Sequence, residues 1–286
     1  MADDLTKFEA KVRAEWMDPE TAAAWRKWHG QSVYYWQELT DALFEIAQLA
    51  PGQRVLDLAS GTGDPALSIA QLVMPDGHVV ITDISPQMTD IARENAEEVG
   101  VENVSFDVVD AHTMPYPDAT FERVTCRLGV MFFWDCRKAL GELRRVLKPG
   151  GVASFIAWGP AEQNEYMRTA LGPFKRRSPM PTPAPGTPQP YRFAAPGSLG
   201  AELRAAGFSQ VKEEARTVKL SWPGQPAELW ERMYEISAPM RPYLNSFTPE
   251  VRAEAVKEVI EGFTAFYNGS EVVTHAPIVM ASAVKE

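Results

Sequence analysis

Cysteine is nearly absent: Cys126 and Cys136 are the two in 286 residues. That excludes a disulfide framework and any CxxC metal site. Histidine is scarce too, at four residues, and no His/Asp/Glu cluster has metal-ligand spacing, so no metal is expected. Basic charge is in deficit, with 28 Lys and Arg against 38 Asp and Glu and a formal net charge of −10. A nucleic-acid backbone needs a basic surface, so no nucleic-acid partner is expected. The compact basic run Lys175-Arg176-Arg177 reads as a solvated loop. Long apolar runs are missing as well. No segment approaches the ~20 apolar residues of a membrane span, and the acidic start M-A-D-D-L-T-K-F-E-A lacks the apolar core of a secretory signal. The expectation is a reduced, cytoplasmic protein.

What is present is enough apolar material for a large core: 45% hydrophobic residues and 10% aromatics. Residues 1–50 read as a helical cap, with Trp25, Trp28, Trp36, Leu39, Leu43 and Ile46 at helical spacing. Pro51-Gly52 ends it. Over 51–158 strand and helix signals alternate. R-V-L-D-L-A is followed by a helix from Pro65, and H-V-V-I-T-D by a helix that Ser85 caps, Pro86 opens and Gly100 closes. Strands at Val104–Val109, F-E-R-V-T-C and G-V-A-S-F-I-A-W complete the run, with a helix over Arg137–Leu147. Such alternation requires crossover connections and a parallel sheet, hence a doubly wound α/β fold.

The rhythm then breaks. P-F-K-R-R-S-P-M-P-T-P-A-P-G-T-P-Q-P, within 159–197, is expected to be neither regular helix nor central strand, and is read as a loop covering the site. Residues 198–286 should complete the sheet with an exposed strand over V-K-E-E-A-R-T-V-K-L-S-W and a last strand at the sheet edge. Between these lie helices over Pro226–Ser237 and Pro249–Tyr267. A terminal strand at an edge would allow a homodimer.

Ligands of parallel sheets sit beyond the carboxyl ends of the strands. Gly61 and Gly63 lie there, in V-L-D-L-A-S-G-T-G-D, where the backbone can be approached closely. Asp83, 20 residues past Gly63, ends the second strand, and a carboxylate there can accept both ribose hydroxyls. These residues point to an adenosine compound and leave NAD and S-adenosylmethionine both open.

Four segments in order, V-L-D-L-A-S-G-T-G-D, T-D-I-S-P-Q-M, V-V-D-A-H-T-M-P-Y-P-D-A-T-F-E and L-R-R-V-L-K-P-G-G, resemble the class I S-adenosylmethionine-dependent methyltransferases. The likeness is to the branch with ubiquinone/menaquinone-biosynthesis methyltransferases, over about residues 50–158. It implies a Rossmann-like, seven-stranded, mostly parallel sheet with helices on both faces. It also implies S-adenosylmethionine as cofactor, S-adenosylhomocysteine as product, and direct displacement onto a small-molecule acceptor.

By that resemblance, Asp57, Ala59, Gly61 and Gly63 would line the methionine part. Ala59 stands where the family often has its first glycine. Asp83 would hold the ribose, Ile84 and Met88 the adenine faces, Asp110 its amino group and the Ala111 N–H its ring. The backbone at Cys126-Arg127 would meet the cofactor's amino group. The alternatives are an NAD-dependent oxidoreductase on the same sheet and a non-catalytic cofactor-binding member.

The acceptor is expected to be apolar or aromatic. Its pocket would be built from the N-terminal helices, the proline-rich stretch and the helices between Trp222 and Tyr267. The aromatic candidates are Trp25, Trp28, Tyr34, Tyr35, Trp36, Trp222, Trp230, Tyr234, Phe263, Phe266 and Tyr267. Among possible bases His29 comes first, with Glu38, Tyr34 and Tyr35 behind it. His78 and His275 read as structural, and His112 as a neighbour of the cofactor's contacts.

Overall fold

The computed structural model describes residues 2–184 and 186–286. Seven strands form one sheet in the order β3-β2-β1-β4-β5-β7-β6. They are β1 (Arg54–Leu58), β2 (His78–Asp83), β3 (Val104–Val108), β4 (Phe121–Arg127), β5 (Leu147–Trp158), β6 (Ser209–Trp222) and β7 (Val272–Val284). The first five are parallel, whereas β7 runs antiparallel to β5, and β6 to β7. The expected Rossmann-like sheet is present.

The crossovers are α5 (Ala66–Leu72), α6 (Pro86–Val99) and α7 (Cys136–Val146), preceded by α1 (Ala2–Trp16), α2 (Pro19–Lys27), α3 (His29–Tyr35) and α4 (Gln37–Ala47). The Ser85 hydroxyl accepts the Met88 N–H, and Gly100 closes α6 in the left-handed conformation, as the local sequence requires. Leu56, Val80 and Phe155 face one helical layer with Leu140 and Leu199. On the other face Val55, Val79 and Ile81 meet α5, while Ile156, Ile278 and Met280 meet the terminal helices.

The last strand is not at the edge. β7 lies between β5 and β6, and β6 is the edge strand at this end, with β3 at the other. The reason is visible in composition. β7 is buried along nearly its whole length, as a strand with neighbours on both sides tends to be. β6 instead alternates apolar residues with Lys212, Glu213, Glu214, Arg216 and Lys219, charges that blunt an open edge. The edge position offered as grounds for a homodimer therefore belongs to a charged strand.

The proline-rich segment also starts differently from expectation. α8 spans Glu165–Arg177 with Pro173 inside it, and Asn164 caps its start by accepting the Met167 N–H at 3.0 Å. Lys175-Arg176-Arg177 is thus the final helical turn, not a loop. Arg176 and Arg177 both pair with Glu258 of α12 (Pro249–Thr264), reached through α9 (Ser198–Ala205), α10 (Pro226–Ile236) and α11 (Arg241–Leu244). Packing of Phe174 and Leu171 into the helical core outweighs the one N–H that Pro173 lacks.

Candidate active site

A cavity of about 240 Å³ opens beyond the carboxyl ends of β1, β2 and β4, beside the loop that follows β3. Its floor is the turn after β1. Ala59 takes a left-handed φ of 52°, a strained value for a residue with a side chain, and Gly61 follows at 56°. A Cβ on Gly61 would meet nothing within 4 Å, so its backbone faces open space. Across the turn Gly129 has no such freedom, since a Cβ there would stand 2.5 Å from that of Ala59. The side chain at 59 is accommodated by a glycine opposite.

Two carboxylates stand apart on one wall. Asp83 accepts the Gly61 N–H and the Ser85 N–H, both at 2.9 Å, which fixes it against the turn. Burial lifts its carboxyl above the ordinary range, opposed by those backbone donors. Asp110 accepts the His112 N–H at 2.8 Å and the His112 ring at 2.7 Å through Oδ1, and Arg13 of α1 at 2.8 Å through Oδ2. His112 Nε2 accepts from the Asp135 N–H, which assigns the ring proton to Nδ1 and makes it the donor to Asp110. Burial opposes ionisation of Asp110, but the His112 bonds and Arg13 hold its carboxyl below the ordinary range. A carboxylate has about four acceptor positions, so one stays open on Asp110. Open glycine backbone between two separated carboxylates suits a nucleoside that offers hydroxyls at one end and an amino group at the other.

Ile84, Met88 and Ala111 line the same wall. Asp57 and Gly63 do not line the cavity. Asp57 is buried inside β1, where it accepts from Thr125 Oγ1, and burial pushes its carboxyl up to about 6. Gly63 turns inward against Leu67 and Ala92. The Arg127 side chain donates to Asp64 Oδ2 and to Thr40 Oγ1, both at 2.6 Å, tying β4 to the turn and to α4.

His29 does line the cavity. Its Nδ1 lies 2.8 Å from Thr62 Oγ1, and burial lowers its pKa, so it is neutral at pH 7. The other possible bases are elsewhere. Tyr35 is buried in the core, Tyr34 is 51% exposed, and Glu38 accepts the Lys219 N–H on the surface. His78 binds Ser105 and His275 binds Glu165, both away from the cavity.

Of the aromatic candidates, Trp25 and Trp36 face the cavity, whereas Tyr35, Trp222, Trp230 and Phe263 are core. The remaining wall comes from residues the sequence reading passed over: Trp16, Phe132, Phe133, Trp134, Trp158, Tyr166 and Tyr191. The run V-M-F-F-W-D immediately past β4 was a usable signal, because it lies at the ligand edge of the sheet. Gln189 N–H donates to the Met131 carbonyl and Arg192 to that of Phe133, seating the end of the proline-rich stretch on this loop.

Arg232 was also missed. It is fully buried on α10 and lines the cavity; its Nε donates to Ser32 Oγ at 3.0 Å. The rings of Tyr35 and Trp36 each lie 4.8 Å from its guanidinium carbon, and that of Trp222 lies 5.6 Å away. Such rings offer roughly 1–2 kcal/mol each at best, against a desolvation cost of several kcal/mol for a buried charge. Its spacing, between Leu229 and Ile236 on the apolar stripe of α10, was legible beforehand.

A family model described as the ubiE/COQ5 methyltransferase family matches residues 32–175. The demethylmenaquinone methyltransferase of Thermus thermophilus is 40% identical over 166 residues, covering 55% of this chain and 74% of that protein. The ubiquinone/menaquinone biosynthesis C-methyltransferase UbiE of Ralstonia pickettii is 35% identical over 155 residues, covering 54% and 63%. The fold matches that of the YcgJ protein of Bacillus subtilis, with a TM-score of 0.56 at 22% identity over 87% of this chain and 99% of that one. A nicotinamide oxidoreductase and a non-catalytic member are not favoured. The chain belongs to the ubiE/COQ5 methyltransferase family and is an S-adenosylmethionine-dependent methyltransferase acting on a small molecule.

Proposed function

We propose that the cavity holds S-adenosylmethionine along the strand ends and a flat, largely apolar acceptor against its aromatic wall. Asp83 takes the ribose hydroxyls, Ile84 and Met88 flank the adenine, and the open position of Asp110 with the Ala111 N–H meets its edge. Gly61 and Ala59 carry the backbone along the methionine part, together with the backbone at Arg127. Asp57 and Gly63 act from behind, by shaping the turn. The bound cofactor supplies a methyl group on a sulfonium, ready for direct displacement.

The chain's own work is alignment and exclusion of water, an effect worth ~7–11 kcal/mol in model reactions. Trp25, Trp36, Phe132 and Trp158 suit a planar ring, and Pro190 and Tyr191 bring the end of the proline-rich stretch over it as a cover. His29, neutral and beside Thr62, is placed to take a proton from an acceptor that carries one. The relatives are named for quinone precursors. Residues 1–31 and 176–286, which build much of the acceptor wall, lie outside the segment that the family model matches. The acceptor proposed is therefore a ring compound of that general kind, with its substituents set by this chain's own wall.

The single observation that carries the proposal is that both carboxylates, the open turn and the aromatic wall share one cavity. The chain incubated with labelled S-adenosylmethionine and a cell extract should yield a labelled apolar ring compound, identified by mass. Label found only in polar amines or in macromolecules would contradict it.

A further inference from the structure

Within the cavity just described, and resting on the proposed acceptor reading, Arg232 is the cation whose terminal nitrogens make no full hydrogen bond and meet no anion among the described residues. Nη1 and Nη2 are buried and make no full hydrogen bond; the acceptor beside them is the neutral Tyr166 hydroxyl, with Tyr35 also close. Arg232 forms no ion pair with a carboxylate among the described residues; the groups that influence it most are the two tyrosines and Arg127. This contrasts with Arg127 in the same cavity, which is tied to Asp64. A guanidinium is kept charged in proteins, and its fork is shaped for two oxygens of an anion. Burying one costs free energy unless an anion or hydrogen-bond acceptors compensate. Ser32 satisfies only Nε, which leaves the forked end for something else.

We infer that Arg232 recognises an anionic oxygen on the methyl acceptor, so that the acceptor is a ring compound bearing a carboxylate or an ionised phenol or enol. The rings of Tyr35, Trp36 and Trp222 hold the guanidinium in place and keep water from it. The apolar wall accepts the body of the molecule, and Arg232 sets which edge of it enters first. An ionised phenol or enol is also electron-rich, which favours attack on a sulfonium methyl; a carboxylate only orients.

The test is calorimetry on the full chain saturated with S-adenosylhomocysteine, using matched pairs of probes. One pair is 2-naphthoate and 2-naphthamide; the other is 4-nitrophenolate and 4-nitroanisole. The native chain should bind the anion of at least one pair tenfold or more above its neutral partner, and the pair that shows this identifies the oxygen. Arg232→Gln should reduce the preference to within twofold with S-adenosylhomocysteine affinity kept, and Arg232→Lys should retain part of it. The inference is overturned if the native chain shows no preference in either pair, including by binding none of the four, or if Arg232→Gln keeps the preference. Should the glutamine variant not fold, the native pairs together with the lysine variant decide: a lysine variant with undiminished preference for the anion overturns it. Failure of the native chain to bind S-adenosylhomocysteine would instead strike the proposed function itself.

Discussion

Asp57 sits inside β1 with a carboxyl raised to about 6 by burial, from an ordinary 3.8. Because the folded state holds the proton more tightly than the unfolded chain, its ionisation opposes folding. The loss begins as pH rises above 3.8 and is complete above about 6. Asp57→Asn should therefore stabilise the protein at pH 7 by on the order of 2–3 kcal/mol, with no advantage at pH 3.5. Denaturant melts at the two pH values check this; an equal effect at both would contradict it. Asp83→Ala should weaken S-adenosylhomocysteine binding more than tenfold in calorimetry, since the carboxylate is proposed to take two hydroxyls. A loss below threefold would show that the ribose lies elsewhere. If His29 takes a proton, kcat/KM should fall as pH drops through a pKa below the ordinary 6.5, and His29→Ala should remove that limb. That Gly61 and Asp83 stand at the ligand edge of the sheet was legible in sequence, because the turn and the strand end are local. What Arg232 and Trp16 face was not, because that is set by neighbours distant in the chain.

The first helix reaches the site through few contacts. Arg13 of α1 bonds Asp110 and lies 5.3 Å from the Trp134 ring centre, and Trp16 packs edge-on against Phe132 at 5.1 Å. The ion pair is partly exposed, at 36% and 25%, so it contributes no more than about 1 kcal/mol. Arg13→Ala should lower Tm by less than about 3 °C. It should speed S-adenosylhomocysteine release about two- to fivefold in stopped-flow, because α1 overlies the Asp110 end of the cavity. An unchanged release rate would mean that α1 does not gate that end. Elements with a local signal were read well: the Ser85 cap, Pro86 and Gly100 bracket α6 as expected. Two were misread, each for a tertiary reason. α8 persists through Pro173 because Leu171 and Phe174 are buried, and β7 inserts between β5 and β6, an order whose local trace is the run of charges along β6.

The molecule joins a sheet that follows its family to walls drawn from both ends of the chain. Trp28, Trp36 and Leu39 pack in one core with Trp222, Trp230 and Val259, so the first fifty residues and the last ninety enclose the cavity jointly. Sequence read the sheet because strand–helix alternation is local. It named the segments that line the cavity but few of the side chains, because that lining is assembled from segments two hundred residues apart, as the Arg232–Ser32 bond illustrates. With β6 as a charged edge and a net charge of −10, the chain should run as a monomer in light scattering at micromolar concentration. A dimer would require another face. A crystal structure with S-adenosylhomocysteine decides where the nucleoside sits. It should show both sugar hydroxyls on the Asp83 carboxylate and the purine between Ile84 and Met88 with its amino group at Asp110. Density for the nucleoside at any other place, or those two aspartates facing away from it, would contradict the account.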